Sequence, residues 1–230
     1  MASPDAPLPS PASTLDESGA TALAKASLRA RVRAARRALD PARRAAEAEA
    51  AAAHLWEWLG PRVAATRGRG ATPVVATVLP MPTEPDTGPL RERLHAAGAR
   101  ILVPVIEPGR RLSWAAWHPG VGMARATAAP IDEPIGPRLR ADALADATAV
   151  VLPGLAVGED GVRLGQGGGY YDRFLADLPA AVPTVALLFA HEVLPATEVP
   201  AEPTDRPVDG VVTAAGLRWL GPAGPRGAAE

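Results

Sequence analysis

The residues best suited to chemistry form a glycine-rich loop, Gly165-Gln166-Gly167-Gly168-Gly169, directly ahead of a predicted helix that begins at Tyr170. Glycines lack a Cβ atom, so such a loop can turn sharply and aim several backbone N–H groups at one point. The positive end of the helix dipole adds to the attraction for anions, which makes the loop suited to phosphate. The alternative interpretation is a flexible connection between a strand and a helix.

The loop matches neither of two common phosphate motifs. It lacks the GxxxxGK[ST] pattern of P-loop enzymes, and Tyr170 stands where the last glycine of the GxGxxG dinucleotide fingerprint belongs. Asp172 falls in the first turn of the following helix, where a carboxylate stabilises the helix dipole. That position also suits Mg²⁺, which prefers oxygen ligands and shares them with phosphates. Both roles for Asp172 stay open at this point.

Composition limits the classes of protein to consider. The 230 residues are 47% hydrophobic, which is enough for one continuous core, and the net charge of −1 argues against a nucleic-acid binder. The chain has no cysteine, which excludes disulfides, thiolate nucleophiles and cysteine-ligated zinc. No apolar run approaches the roughly 20 residues that cross a bilayer, and the first residues do not resemble a signal peptide. We therefore expect a cytoplasmic protein without a membrane or nucleic-acid partner.

Two helices are predicted before the first strand. Apolar residues at spacings of three and four predict a helix over 21–39. An adjacent face carries a basic stripe, made of Lys25, Arg29, Arg33 and Arg36. This stripe is either a solvated face or a contact with phosphate. Asp40-Pro41 combines an N-cap with a proline at the first helical position, so a second helix is expected to run to Leu59, before Gly60-Pro61.

The rest of the chain alternates between strand and helix patterns. Apolar and β-branched runs predict strands at 72–79, 100–106, 111–117, 149–152, 184–189 and 208–213. Pro104 indicates an edge strand or a bulge. The alternation predicts a three-layer α/β/α, Rossmann-like domain with a mainly parallel sheet over 21–220. Residues 1–20 are expected to be a disordered leader, and 221–230 a flexible tail.

Four segments together resemble one family. VLPGLAVGEDGVRLGQGGGYYDRFL at 151–175 is similar to the signature of the 5-formyltetrahydrofolate cyclo-ligases, also called methenyltetrahydrofolate synthetases. KASLR at 25–29, LPMPTEPDT at 79–87 and TDRPVDGVVT at 204–213 resemble the same family in the same order. The resemblance covers about 21–213 and leaves only the two ends unexplained.

The resemblance implies a monomeric enzyme that uses ATP and Mg²⁺ to cyclise 5-formyltetrahydrofolate to 5,10-methenyltetrahydrofolate, releasing ADP and phosphate. In the family the formyl oxygen takes the γ-phosphoryl group, the second amine nitrogen of the folate attacks the activated carbon, and phosphate departs. Phosphorylation makes sense chemically because an amide oxygen is a poor leaving group. The protein then contributes mainly positioning and charge neutralisation.

Residue roles also follow from the resemblance. It implies an ATP site formed by Lys25, Arg29, Arg163, Leu164, Gly165, Gln166, Gly167, Gly168, Gly169, Tyr170 and Tyr171. It implies a folate site formed by Leu79, Glu84, Gln166, Gly167, Gly168, Gly169 and Tyr170, and a metal site at Asp172 and Asp205. Some members carry basic residues in place of Gln166 and Gly168, which leaves less positive charge on the phosphates here. Some also have a histidine where this chain has Thr204.

Two other functions are compatible with parts of the sequence. The first is a paralogous enzyme that uses the same ATP loop on another N-acylated metabolite. The second is a non-catalytic module that binds nucleotide or nucleic acid through the first helix. The second predicts salt-sensitive binding to nucleic acid and no ATP consumption, and the near-neutral charge counts against it.

Overall fold

A seven-stranded sheet forms the centre of the protein, in a computed structural model that describes residues 11–126 and 131–220. The described residues form twelve strands: β1 (Val74–Ala76), β2 (Arg100–Glu107), β3 (Arg111–Trp117), β4 (Met123–Arg125), β5 (Asp132–Pro134), β6 (Ala149–Pro153), β7 (Ala156–Gly158), β8 (Arg163–Leu164), β9 (Thr184–Leu187), β10 (Val193–Leu194), β11 (Gly210–Thr213) and β12 (Gly216–Trp219). The main sheet has the order β12-β11-β9-β6-β1-β2-β3. Its pairings are parallel except β2 with β3 and β11 with β12, which confirms the mainly parallel sheet.

Helices cover both faces of this sheet. They are α1 (Pro11–Ala38), α2 (Pro41–Gly68), α3 (Gly88–Ala96) and α4 (Tyr170–Asp177), with a 3₁₀ turn at Ala141–Leu144. Helices α2 and α3 share one apolar cluster with one face of the sheet, whereas α4 and the 3₁₀ turn share another with the opposite face. The predicted three-layer architecture is confirmed. None of the described helices is both long enough and apolar enough to cross a bilayer.

The central strand β6 shows why the sheet lies inside the molecule. Its first four residues, Ala149 to Leu152, are apolar and buried, as a strand covered on both faces requires. Ala149 and Val151 point to the cluster under α2 and α3, while Val150 and Leu152 point to the cluster under α4. The strand ends at Pro153, and the chain there turns into the functional region.

Helix α1 packs on a smaller sheet of order β10-β7-β8. Its apolar residues Leu28 and Val32 join a cluster with Leu155, Leu164 and Val199. This contact holds α1 next to the glycine-rich loop, which follows β8 directly.

Helix α1 is longer than the sequence predicts. It begins at Pro11, not at Thr21, so the prediction of a disordered leader is wrong for residues 11–20. The segment before Thr21 contains alanine, leucine and glutamate, which are good helix formers, and proline is favoured at a first helical position. Residues 1–10 and the predicted tail over 221–230 lie outside the described residues.

Helix α2 is also longer than expected, because it continues through Pro61 to Gly68. Its N-terminus is as predicted: the Asp40 side chain accepts hydrogen bonds from the backbone N–H groups of Ala42 (2.9 Å) and Arg43 (3.1 Å). An interior proline removes one backbone hydrogen bond. The buried stripe of Leu55, Leu59 and Val63 nevertheless spans the proline, so packing on the sheet outweighs that loss.

Strand β2 is interior, and the expectation of an edge strand or a bulge at Pro104 is wrong. Its register with β3 runs one to one from Ile101 to Glu107. Pro104 is opposite Trp114, whose backbone N–H and C=O both bond outward to Leu139. The missing N–H of Pro104 therefore faces the β1 side, where the pairing with β1 has already ended at Leu102. Proline costs no ladder hydrogen bond there.

Candidate functional site

A cavity of about 740 Å³ opens where the parallel strands β1 and β6 end. Val78 and Leu79 reach it just after β1, and Pro153 and Gly154 reach it at the end of β6. Open α/β sheets bind ligands at the carboxyl ends of their strands. The position of the cavity thus follows from the topology of the sheet.

Every site residue predicted from the sequence lines this one cavity. They are Lys25, Arg29, Leu79, Glu84, Arg163, Leu164, Gly165, Gln166, Gly167, Gly168, Gly169, Tyr170, Tyr171, Asp172 and Asp205. They come from α1, from the loop after β1, from the segment β8 to α4, and from the loop before β11. The structure brings them together, whereas their individual roles stay predictions.

Backbone geometry explains the glycines of the loop. Gly167 and Gly169 have φ values of 103° and 67°, a left-handed region that side chains rarely adopt. Gly169 immediately precedes α4. A Cβ on Gly168 would lie 2.6 Å from the ring of Tyr170, so a larger residue there would have to displace that ring. The loop therefore follows a defined path that needs glycine, which disfavours a merely flexible connection.

Helix α1 holds the loop through two arginines. Arg29 donates from Nε to the carbonyl oxygen of Gly165 at 2.9 Å. Arg33 donates from Nη2 to Oε1 of Gln166 at 2.7 Å, and Nε2 of Gln166 in turn donates to Oε1 of Glu84 at 3.2 Å. One chain of hydrogen bonds thus links α1, the glycine-rich loop and the loop after β1.

Arg36 is not on a solvated face, although the sequence left that interpretation open. Its side chain is 1% exposed, and it donates from Nε to Oε1 of Glu192 and from Nη2 to the carbonyl oxygen of Gly154, both at 2.6 Å. Glu192 is fully buried. Nη1 of Arg36 has no hydrogen-bond partner among the described residues and lies 3.8 Å from Oε1 of Glu84. The buried pair therefore places a cation next to Glu84.

Lys25 is buried between two carboxylates. Its Nζ lies 2.7 Å from Oε2 of Glu202 and 2.6 Å from Oδ2 of Asp205. Asp205 also accepts a hydrogen bond from the backbone N–H of Glu202 at 2.8 Å. The ammonium group thereby fixes the loop before β11 against helix α1.

Arg163 organises the other side of the cavity. It donates from Nη2 to Oδ1 of Asp172 at 3.0 Å, and its guanidinium lies 5.5 Å from the centre of the Tyr171 ring. Burial raises the pKa of the Tyr171 hydroxyl, and the negative charge of Glu84 raises it further, whereas Arg163 opposes the shift. Tyr171 therefore stays a neutral phenol at physiological pH.

The predicted metal residues fit a magnesium–phosphate site in their chemistry. Among residues 11–126 and 131–220, no group of three or more histidine, aspartate and glutamate side chains is close enough to hold a metal. Mg²⁺ bound to a nucleotide needs only one or two protein carboxylates, because phosphates and waters supply the other ligands. Asp172 and Asp205 both line the cavity, each paired with one cation. Their assignment to the metal stays a prediction.

Sequence reasoning missed Glu192 and Glu202, which hold the two buried cations of α1. Both contacts join residues more than 150 positions apart, so no local pattern identifies Glu192. Glu202 does leave a weak signal, since it stands three residues before Asp205 in the segment E-P-T-D.

Comparison with known proteins gives consistent matches. The model of the 5-formyltetrahydrofolate cyclo-ligase family matches residues 21–214. A 5-formyltetrahydrofolate cyclo-ligase from Mycolicibacterium smegmatis is 34% identical over 194 residues, covering 82% of this chain and 93% of the relative. The Escherichia coli K12 cyclo-ligase is 34% identical over 163 residues, covering 65% of this chain and 85% of the relative.

Solved structures agree. An NMR structure of Aquifex aeolicus 5,10-methenyltetrahydrofolate synthetase has a TM-score of 0.64 at 25% identity, covering 85% of this chain and 92% of that one. A 5,10-methenyltetrahydrofolate synthetase from Mycoplasma pneumoniae has a TM-score of 0.62 at 18% identity, covering 83% and 98%, and supports the fold. The resemblance seen in the sequence is thereby confirmed, and the chain belongs to the 5-formyltetrahydrofolate cyclo-ligase family.

Proposed function

We propose that the protein catalyses the ATP- and Mg²⁺-dependent cyclisation of 5-formyltetrahydrofolate to 5,10-methenyltetrahydrofolate, with release of ADP and phosphate. Membership of the family supports the cyclisation. The cavity supports the use of ATP, because it combines a glycine loop ahead of a helix with several cationic side chains.

The proposed reaction takes place in two steps. The formyl oxygen attacks the γ-phosphorus, the bond from phosphorus to the ADP oxygen breaks, and a phosphorylated iminium forms. The second amine nitrogen of the folate then bonds to the formyl carbon and loses its proton, while the carbon–oxygen bond to phosphate breaks. Little covalent chemistry falls to the protein, so its contribution is to align the two substrates and to balance their charge.

One observation carries the proposal: the hydrogen-bond chain from Arg33 through Gln166 to Glu84. Gln166 belongs to the predicted phosphate loop, and Glu84 is the predicted partner of the pterin N–H donors. The amide side chain of Gln166 therefore joins the loop assigned to ATP to the residue assigned to the folate. Such a connection suits an enzyme that must bring a γ-phosphate to a formyl group on the pterin.

The surrounding side chains have complementary tasks. The backbone N–H groups around Gly167 and the cations Lys25 and Arg29 would receive the triphosphate. Arg36 lies close enough to Glu84 to keep its carboxylate oriented toward the cavity. Asp172 and Asp205 would hold a divalent cation, which neutralises charge on the phosphates when bound. Gln166 in place of a basic residue supplies no charge but does supply the link to Glu84.

The decisive experiment uses the purified protein with 5-formyltetrahydrofolate, Mg²⁺ and ATP, and follows the absorbance of the methenyl product. We expect product only when ATP is present, with one ADP released per methenyl group. A mixture lacking ATP, and one with a non-hydrolysable ATP analogue, serve as controls. ATP consumption without methenyl product would favour a paralogous enzyme that acts on another N-acylated metabolite.

A matched pair of variants tests the role of Glu84. Glu84→Gln keeps the shape of the side chain and removes its charge, so we expect the KM for the folate to rise more than the KM for ATP. Asp86→Asn is the control, because Asp86 is in the same loop, is exposed and does not line the cavity. Equal effects of both variants on the folate KM would remove Glu84 from the folate site.

A monomeric state and a cytoplasmic location complete the proposal. Sedimentation of the purified protein tests the first, and fractionation of the producing cells tests the second. Binding to nucleic acid that weakens with salt, without any ATP consumption, would support the non-catalytic alternative.

A further inference from the structure

The turn between β2 and β3 carries a cation that the mechanism leaves unused. Arg110 is exposed at this turn and lines the cavity. Within the described ranges 11–126 and 131–220 its guanidinium has no hydrogen bond or ion pair. The nearby acid Glu107 is already engaged, since it accepts a hydrogen bond from Ser113 at 2.6 Å. Arg110 therefore presents a free cationic group to whatever occupies the cavity.

Other cavity cations differ from Arg110 in their partners or their surroundings. Lys25 and Arg163 pair with carboxylates, and Arg29 and Arg173 donate to carbonyl oxygens of the glycine-rich loop. Arg206 shares with Arg110 the lack of a partner among the described residues, but it directly follows Asp205. Arg206 thus belongs with the residues predicted to bind phosphate and metal, whereas Arg110 is on a separate hairpin.

The hairpin next to Arg110 gives the cavity an apolar wall. Pro104, Ile106 and Leu112 line the cavity from β2 and β3, and Ile131 joins them from the position just before β5 in the ribbon β4–β5. Glu133 of that ribbon fixes it to β2 by accepting a hydrogen bond from the backbone N–H of Ile106 at 2.9 Å. The wall suits a flat aromatic group, and Arg110 ends it with a positive charge.

We propose that Arg110 binds the glutamate carboxylate of the folate substrate, while the aminobenzoyl ring lies along the apolar wall. This inference rests on the proposed function and names the residue that recognises the substrate tail. A folate presents its pterin, its aromatic ring and its glutamate in that order. Glu84, the wall formed by Pro104, Ile106 and Leu112, and Arg110 offer complementary chemistry for these three parts. Arg110 is then a specificity-determining residue and takes no part in the chemical steps.

The exposure of Arg110 sets the size of the expected effect. An ion pair open to water contributes less than a buried one, so its loss should change binding by about twofold to fivefold. The contribution should shrink as salt rises, because exposed charges are screened.

The test compares two substrates and several variants. The substrates are 5-formyltetrahydrofolate and the primary amide of 5-formyltetrahydropteroate (the pteroate amide), which lacks the glutamate and carries no carboxylate. Arg110→Gln removes the charge, and Arg110→Lys restores it. Arg110→Asn is a second neutral variant, because Arg110 has a φ of 58° and asparagine tolerates that left-handed conformation. Arg111→Gln is the control, since Arg111 is the exposed next residue, at the start of β3, and does not line the cavity.

We expect both neutral variants to raise the KM for 5-formyltetrahydrofolate about twofold to fivefold more than the KM for the pteroate amide. Lysine should recover much of the loss, and Arg111→Gln should not separate the two substrates. An equal rise for both substrates, or no rise at all, would overturn the assignment.

The outcome also separates this inference from the proposed function. If the unaltered protein converts neither folate substrate in the presence of ATP, the proposed function itself fails. If it converts both and the Arg110 variants do not distinguish them, only the glutamate subsite fails.

Discussion

Helices α1 and α2 have the same length of 28 residues and follow each other in the chain, yet they are held in place differently. Helix α2 packs on the main sheet through alanines and through Leu55, Leu59 and Val63. Helix α1 buries Leu28 and Val32, but it also buries Lys25 and Arg36, each paired with carboxylates from the second half of the chain.

The two helices therefore have different tasks: α2 mainly stabilises the fold, whereas α1 positions the loops of the candidate site. Apolar burial stabilises without requiring any particular partner atom, so α2 can hold the sheet by size and shape alone. A buried cation is tolerated only next to its partner, so Lys25 and Arg36 each fix the position of another segment. Helix α1 thereby orders the loops around the cavity, at the cost of depending on a few specific contacts.

Breaking the ion pair of Arg36 should have the largest effect. Arg36→Met leaves Glu192 buried without its cation, and we expect the free energy of unfolding to fall by about 3–5 kcal/mol. The double variant Arg36→Met/Glu192→Leu removes both charges and should recover part of the stability. Urea denaturation measures both changes.

The same double variant distinguishes positioning from stability. If Arg36 orients Glu84, the double variant should keep a raised KM for the folate even where its stability has recovered. Recovery of both quantities together would show that α1 contributes only stability, as α2 does.

The matching change in α2 should affect stability alone. Leu59 is fully buried under the sheet, and Leu59→Ala should lower the free energy of unfolding by about 2–5 kcal/mol through lost burial and a cavity. The KM values for ATP and folate should stay the same at temperatures where the variant is folded. A specific change in either KM would show that α2 also shapes the cavity.

A change at Lys25 should affect nucleotide binding. Lys25→Met removes the cation proposed to contact the triphosphate, and we expect a loss of about 1.5–3 kcal/mol in ATP binding. The control is Arg31→Met, because Arg31 is on the same helix in an exposed pair with Glu198 and does not line the cavity. Calorimetric titration with ATP measures both. An unchanged ATP affinity in Lys25→Met would limit Lys25 to holding the loop of Glu202 and Asp205.

The sequence predicts a structural element well when the residues that determine it are neighbours in the chain. The start of α2 follows from Asp40-Pro41, and the path of the glycine loop follows from five adjacent residues. A continuous apolar run predicts the central strand β6. Each of these features is written within a few neighbouring positions.

The sequence does not predict features that depend on residues far away in the chain. The burial of Arg36 depends on its pairing with Glu192, which is 156 positions away in the chain. The passage of α2 through Pro61 depends on the sheet beneath it. Strands β7, β8 and β10 have only two or three residues each, too few for a hydrophobic period to be recognised.

The smallest expected effect concerns the junction of the two helices. Asp40→Ala removes the side chain that caps α2 and should lower the free energy of unfolding by about 1 kcal/mol, while Asp40→Ser keeps a capping oxygen and should lose less. Because α1 is fixed by Lys25 and Arg36 and not by the cap, the KM for ATP should be the same in both variants. Urea denaturation and steady-state kinetics give the two quantities. A raised KM for ATP in Asp40→Ala would mean that the start of α2 helps to place α1, and the division between a stabilising helix and a site-forming helix would then not hold at their shared end.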